Sequence, residues 1–463
     1  MLPLSQQKSG CSIENVPNVE TRILNFQGLS AKFNFEGLPL PLNHKLNAMK
    51  KIIIPIGIIG LVLGSHVSSF SQTDTKETEE KATKEKKEKK VDMTILPVIA
   101  ANPTVGVLFG VLPGFNWNMG TEADTRNSTA LAGFYYTTNN QLFTSIRANA
   151  FTKEDKFNLL TDLRFNLNSQ PTYGLGSDIN RPTIVGGDEE VSDNPYDKVP
   201  QNEMMAFNNF RFYQTVQKRH KKTNLFYGIG YHLDIFWDID DKQLDLSANP
   251  QQITHHYRYQ TLKGLSTEKY TQSGLSANVT YDSRDNVVNP YTGQLAAISL
   301  RGFPEFLGST TSASQLWVEY RKYFNLVKSR PRNVLAFWTY GWFVTSGTSP
   351  YLALPAIGWD MFARSGRPYT QGRIRGEDLV YGEAEWRFPL QKTKNKWGAV
   401  LFVNTSTASS RTENVDIFKN FVFGYGGGLR FMINEKKRVN LGLDYGFGAH
   451  GAQGLFVNLN EYF

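Results

Sequence analysis

From about Met93 to Phe463, apolar and polar positions alternate one by one. In "QLFTSIRANAF", Leu142, Thr144, Ile146, Ala148 and Ala150 fall on one face, and Ser145, Arg147 and Asn149 on the other. In "KFNLLTDLRFNLN", Phe157, Leu159, Thr161, Leu163, Phe165 and Leu167 oppose Asn158, Asp162, Arg164, Asn166 and Asn168. In "GLSANVTYD", Leu275, Ala277, Val279 and Tyr281 oppose Ser276, Asn278, Thr280 and Asp282. Near the end, Val439, Leu441, Leu443, Tyr445 and Phe447 oppose Asn440 and Asp444. A period of two is that of a β-strand, whose successive side chains point to opposite faces.

A soluble sandwich alternates too, but two features separate this chain from one. The polar face carries charges in mid-strand, and the apolar face runs for about ten residues per segment. That is the length and pattern of a strand crossing a bilayer beside a wet lumen. Backbone groups in lipid must all be paired, so the sheet must close. The expected fold is all-β: a transmembrane antiparallel β-barrel of about 16 strands over residues 93–463, preceded by a disordered N-terminal segment. The even-numbered connections read as short and often basic: "TTNNQ", "NSQP", "KRHKK", "KSRPR", "KTKNK" and "NEKKR". Three odd-numbered ones read as long, at roughly 178–201, 238–272 and 346–373. Short periplasmic turns, long external loops and an even strand count place both barrel termini in the periplasm.

Composition agrees. Aromatic residues make up 13% and there are 39 glycines, a strand-and-turn mixture rather than a helical one. The formal charge of +8 raises nucleic acid as a partner. The basic residues, however, sit in short runs between candidate strands and not beside a recognition motif, so nucleic acid is not expected. The lipid bilayer is.

The region before the barrel reads as an address. Lys50 and Lys51 precede an apolar run, Ile52 to Leu63, which is too short to span a bilayer as a helix. Ser69 and Ser71 occupy the −3 and −1 positions of a cleavage before Gln72. Residues 49–71 are therefore expected to be a secretory signal peptide, the alternative being an internal apolar helix. Translation is expected to start at Met49, which makes residues 1–48 a mis-assigned or disordered extension. That extension holds Cys11, the one cysteine of the sequence. Residues 72–92 form a mixed-charge linker with Glu-to-Lys spacings of four, such as Glu77 with Lys81.

Catalytic chemistry is hard to assemble. There is no G-x-S-x-G and no H-E-x-x-H, and the mature chain would lack cysteine. His255 and His256 are adjacent in a long connection, but no third ligand has metal-site spacing, so an exposed polar pair is expected. Glu383 and Glu385 share a face with Arg387 and read as salt-bridge partners in the lumen rather than a catalytic pair. The run "AFWTYGWF", Ala336 to Phe343, reads as an interface girdle or lipid-facing strand before it reads as a ligand platform. No enzyme activity and no cofactor are expected.

Several stretches carry a resemblance. "YDSRDNVVNPYTGQ" is similar to the D-x-R-D-N…P-x-x-G hairpin of the BamA/TamA family of outer-membrane assembly-factor barrels, the bacterial surface antigens. Asp282, Arg284, Asp285, Asn286, Pro290 and Gly293 match. By its own chemistry, Pro290 fixes a turn entry and Gly293 a permissive exit. "RIRGE" resembles the V/I-R-G-F/Y tip of the family's sixth external loop, and "LVYGEAEWRFPL" the strand after it. "GYGGGLRFMI" and "GLFVNLNEYF" resemble the last strands, ending on the aromatic Phe463, which alternation places toward lipid. The family's F-x-D-x-G strand falls at "LFVNTST", where Asn404 stands in place of Asp.

The resemblance implies a sixth loop folded into the lumen. There Arg375, beside Gly376, would meet Glu385 first, then Glu383 and the amide oxygen of Asn404. It also implies a part in outer-membrane protein assembly, secretion or surface export. The family's periplasmic POTRA domains have no room between signal and barrel. A periplasmic or outer-membrane protein partner is therefore expected to supply their role. The alternative is a passive, porin-like outer-membrane channel.

Overall fold

The computed structural model describes residues 91–102, 106–121, 123–177, 184–185, 203–249, 251–361, 363–392 and 396–463. The extension, the signal peptide and all but the last two residues of the linker lie outside these. One sheet of sixteen strands follows in chain order: β1 (Val91–Asn102), β2 (Gly106–Trp117), β3 (Ser128–Thr137), β4 (Leu142–Phe151), β5 (Phe157–Thr172), β6 (Glu203–Arg219), β7 (Leu225–Asp241), β8 (Tyr270–Asp282), β9 (Gly293–Phe303), β10 (Ala313–Asn325), β11 (Val334–Gly347), β12 (Asp378–Pro389), β13 (Trp397–Ala408), β14 (Val422–Asn434), β15 (Val439–Gly448) and β16 (Gln453–Leu459). Each pairs antiparallel with the next, so the sheet runs from β1 to β16 without a crossover. Val91 and Asp92, placed in the linker by sequence, belong to β1.

The register keeps each face consistent across the sheet. Ile146 lies opposite Leu163, and Leu163 opposite Phe212; one step away, Arg147 lies opposite Asp162, and Asp162 opposite Tyr213. The first row is apolar and outward. The second is inward and polar. Ile229 is 70% exposed and Leu275 54%, whereas Asp162 and Asp234 are each 2% exposed. Apolar side chains presented outward with charges buried inward are the reverse of a soluble fold and match an outer-membrane barrel.

β1 and β16 meet without a hydrogen-bonded ladder between them among the described residues. Their junction is packed by a cluster of Leu459, Val439 and Val288, against which Leu96, Leu112 and Leu131 lie. Leu459 occupies the space a side chain at Gly114 would fill: a Cβ there would lie 2.3 Å from Leu459 Cδ2.

Two sequence expectations about connections need correction. "TTNNQ" joins β3 to β4, making it the third connection, at the end that carries the long loops. "NSQP" is not a turn; it lies within β5, which pairs with β6 as far as Thr172 opposite Glu203. Its turn-like composition is overridden by a long partner strand. The 242–269 connection contains helix α1 (His255–Leu262), capped by Thr254, whose hydroxyl accepts from Tyr257 N–H at 3.2 Å. His255 and His256 are buried there, not exposed. Their Nδ1 atoms lie 2.7 Å from Glu203 Oε1 and 2.8 Å from Asp241 Oδ2.

The aromatic run does not face lipid throughout. Trp338, Tyr340 and Trp342 face inward and are buried, while Phe337 faces out. They join Tyr351, Ile357, Trp359 and Ile374 in one apolar cluster inside the barrel. The reason is tertiary: the 348–377 connection fills this part of the lumen, so the inner wall there is a core rather than a wet surface.

Candidate functional site: a loop locked inside the barrel

The connection between β11 and β12 folds back on itself. Ile357 N–H donates to Ile374 O at 3.0 Å, Gly372 N–H to Ile357 O at 2.9 Å, and Gly376 N–H to Pro355 O at 3.0 Å. This hairpin stem carries a tip, residues 358–371, down into the lumen. The wall holds the tip from two sides. On one, Arg211 donates to the carbonyl of Trp359 at 3.0 Å, and Arg164 to those of Asp360 at 2.8 Å and Met361 at 3.1 Å. Both arginines are themselves anchored, Arg211 on Asp234 at 2.7 Å and Arg164 on Asp162 at 2.6 Å.

On the other side the tip supplies its own cation. The Arg367 guanidinium bonds Glu383 and Glu385 of β12 and reaches Asp444 of β15 at 2.7 Å. It is sandwiched between the rings of Phe402 at 3.9 Å and Tyr462 at 3.7 Å. Its carbonyl accepts from the Asn404 amide. One planar, permanently charged group thus engages three carboxylates and two π faces, which a lysine cannot do. The wall beneath is bare by design of sequence. A Cβ on Gly424 would lie 2.5 Å from Arg367 O, and one on Gly448 2.6 Å from Tyr369 Cζ. The glycines of "GYGGGLRF" and "DYGFG" leave a track on which the tip lies.

The chosen wall residues Glu383, Glu385 and Asn404 therefore do meet one loop arginine, but it is Arg367 and not Arg375. Arg375 is inside the barrel and 1% exposed. Its Nη1 donates to Tyr351 O at 3.0 Å and its guanidinium lies 5.2 Å from the Tyr351 ring. It sits in the hairpin stem, paired with Ala356 and Gly176. Glu385 is seven positions beyond the start of β12 at Asp378, roughly 23 Å along a strand at about 3.3 Å per residue. Only the tip reaches that depth. Gly376 packs against the end of β13, where a Cβ would lie 2.0 Å from Ser409 O.

The chain end also leaves the place that alternation assigns it. β16 stops at Leu459, and Asn460 takes a left-handed φ of 73°, which breaks the alternation and turns the last residues inward. Phe463 is 3% exposed, with its ring centroid 5.4 Å from Trp338 and 6.3 Å from Tyr323. Arg387 donates to its carbonyl at 2.9 Å. Glu461 accepts from Arg430 at 2.7 Å and from Asn440 at 2.6 Å. Arg364 of the tip donates to the carbonyls of Glu461 and Tyr462 at 2.6 and 3.1 Å. Loop tip and chain end thus share one network. Sequence reading missed Arg367, Arg164, Arg211 and Glu461; the Gly366-Arg367-Pro368 punctuation was the available signal for the tip.

The hairpin with Asp282 to Gly293 lies at the end that carries the start of β1 and the finish of β16. Arg284 bonds Asp282 through two contacts of 2.9 Å. Asp285 accepts from the N–H groups of Tyr291 and Thr292, and Asn286 from those of Val288 and Asn289. Pro290 is buried at the turn and Gly293 has a φ of 97°.

Sixteen antiparallel strands, an outward apolar face and an arginine-locked internal loop define a lumen-plugged membrane barrel. The chain belongs to the Omp85 superfamily, whose domain it matches over residues 112–447. Omp85 barrel homologues are outer-membrane proteins. Among solved structures it is similar to BamA from Haemophilus ducreyi lacking POTRA domains 1-3. The two are 12% identical with a TM-score of 0.47, over 80% of this chain and 69% of that one. It is also similar to CdiB from Acinetobacter baumannii, at 13% identity and a TM-score of 0.46, over 81% of this chain and 60% of that one. No curated protein matches the sequence.

Proposed function

We propose that this protein takes part in outer-membrane protein assembly, secretion or surface export together with a partner protein. The observation that carries this reading is the Arg367 lock, which holds a loop across the lumen where a passive channel needs open space. The unladdered junction of β1 and β16 supports it. Unpaired backbone groups are costly in lipid, and a strand offered by another chain would satisfy them. The end bearing the barrel termini faces the periplasm in this reading, and the partner acts there in the role of the POTRA domains.

The test is affinity purification from native membranes after cross-linking, with conductance measured on the purified barrel. The expected result is a specific co-purified protein and little steady conductance. Large steady conductance without any partner would refute the reading in favour of a channel.

A further inference from the structure

Beneath the loop tip lies a cavity of about 140 Å³, walled by strands β5 to β11 and roofed by Trp359 and Met361. An apolar cavity of about 150 Å³ takes one benzene-sized molecule, but this one is not apolar. Arg301 of β9 lines it, and its guanidinium forms no ion pair among the described residues. Its one hydrogen bond is a long contact from Nε to Ser299 Oγ at 3.4 Å. The carboxylates nearby are already engaged. Asp162 holds Arg164, Asp234 holds Arg211, Glu319 holds Arg321 and the Trp338 N–H, and Asp360 takes donors from its own loop. Around Arg301 stand the rings of Trp342 at 5.6 Å, Trp317 at 5.8 Å and Tyr213 at 5.9 Å.

A second donor lines the same cavity. His232 is 4% exposed and its Nδ1 has no partner. Its Nε2 is 2.8 Å from Ser276 Oγ, and Ser276 lies directly opposite Arg301 in the sheet. Ser276 Oγ accepts from the Asn278 amide at 2.8 Å and, among the described residues, has no acceptor for its own proton except His232 Nε2, so that proton goes there. The ring proton is then on Nδ1, a buried N–H without an acceptor, which is costly unless a ligand supplies one. An unpaired guanidinium and an unpaired N–H, both donors, with aromatic walls, call for an acceptor-only group.

We propose that this cavity binds a small molecule bearing an oxyanion, carboxylate or phosphate, held by Arg301 and His232 and flanked by Trp317 and Trp342. Access is from the terminus-bearing end. A neighbouring cavity of about 130 Å³ shares Leu160, Thr280, Ala297, Glu319 and Met361 with it. That cavity in turn shares Arg126 and Arg284 with an open mouth of about 1220 Å³. The mouth is rimmed by Lys153, Lys156, Lys218, Lys221 and Lys222, a field that draws anions inward.

Isothermal titration of the full barrel in detergent with benzoate, with inorganic phosphate and with neutral benzamide tests this. We expect saturable one-to-one binding of benzoate, phosphate or both. The two probes separate a carboxylate site from a phosphate site. Benzamide should bind at least tenfold more weakly than benzoate, and Arg301→Gln should weaken anion binding at least tenfold, with folding checked by heat-modifiable mobility in gels. Absence of saturable binding by either anion, or equal binding of benzoate and benzamide to the unmodified barrel, would overturn the proposal even if Arg301→Gln did not fold. So would anion binding that survives Arg301→Gln but is lost in a Lys153→Ala/Lys222→Ala variant, which would move the site to the mouth.

Discussion

Arg367→Ala should release the loop tip. The substitution removes the guanidinium from Glu383, Glu385 and Asp444, but the three carboxylates do not lose equally. Glu385 keeps Arg387 at 2.6 Å, and Asp444 keeps Arg430. Glu383 is left with the Tyr381 hydroxyl alone. One buried carboxylate is therefore orphaned, and breaking a buried pair costs about 3–5 kcal/mol. Losing the stacking of Arg367 between Phe402 and Tyr462 adds to this, while water entering the lumen screens the orphaned charge. A net cost near the lower bound, about 3 kcal/mol, corresponds to roughly a hundredfold rise in the undocked fraction of the tip.

Limited trypsin digestion of the native barrel reads this fraction. Cleavage after Arg364 requires the tip to leave the lumen, and its rate follows the open population when reclosing is fast. Two comparisons sharpen the assay. Arg375→Ala removes one charged hydrogen bond to a carbonyl, worth about 1.5–3 kcal/mol, and orphans no carboxylate, so its cleavage should rise less. Adding Glu383→Gln to Arg367→Ala should recover much of the resistance, because no orphaned charge remains. Cleavage rates for Arg367→Ala within threefold of the unmodified protein, or a larger effect from Arg375→Ala, would refute the reasoning.

Other outcomes follow from the same geometry. Asn404→Asp, which by resemblance alone would tighten the loop, should loosen it: the amide donor to Arg367 O is lost and a carboxylate is set against a carbonyl, costing about 1–3 kcal/mol and visible in the same digestion. Phe463→Ala should destabilise the barrel by about 3–5 kcal/mol in denaturant-dependent unfolding in detergent, as for a buried aromatic, whereas a lipid-facing residue would show much less. Leu443→Arg, on the outward face opposite Leu429 and Val457, should cost about 2–4 kcal/mol if it lies near the bilayer midplane, read by unfolding in lipid vesicles.

Alternation alone was enough to read the strand class, a count of about sixteen and the sign of most faces, because a two-residue period is written locally and repeats in every strand. It also found the wall carboxylates Glu383 and Glu385, since charges in mid-strand have nowhere to go but inward. It could not choose between Arg367 and Arg375. Both lie in one glycine-punctuated connection, and which reaches the wall depends on where that connection turns inside the barrel. The same re-entry converts Trp338, Tyr340 and Trp342 from a wall into a core, something strand periodicity cannot show because it reports a face and not what lies against it. Phe463 departs from its periodic place through a single left-handed residue, Asn460, and is drawn in by Arg387 and Trp338, which lie far away in sequence. Local spacing determined the barrel; contacts between distant segments, made only once the barrel has closed around its loop, decided what the lumen holds.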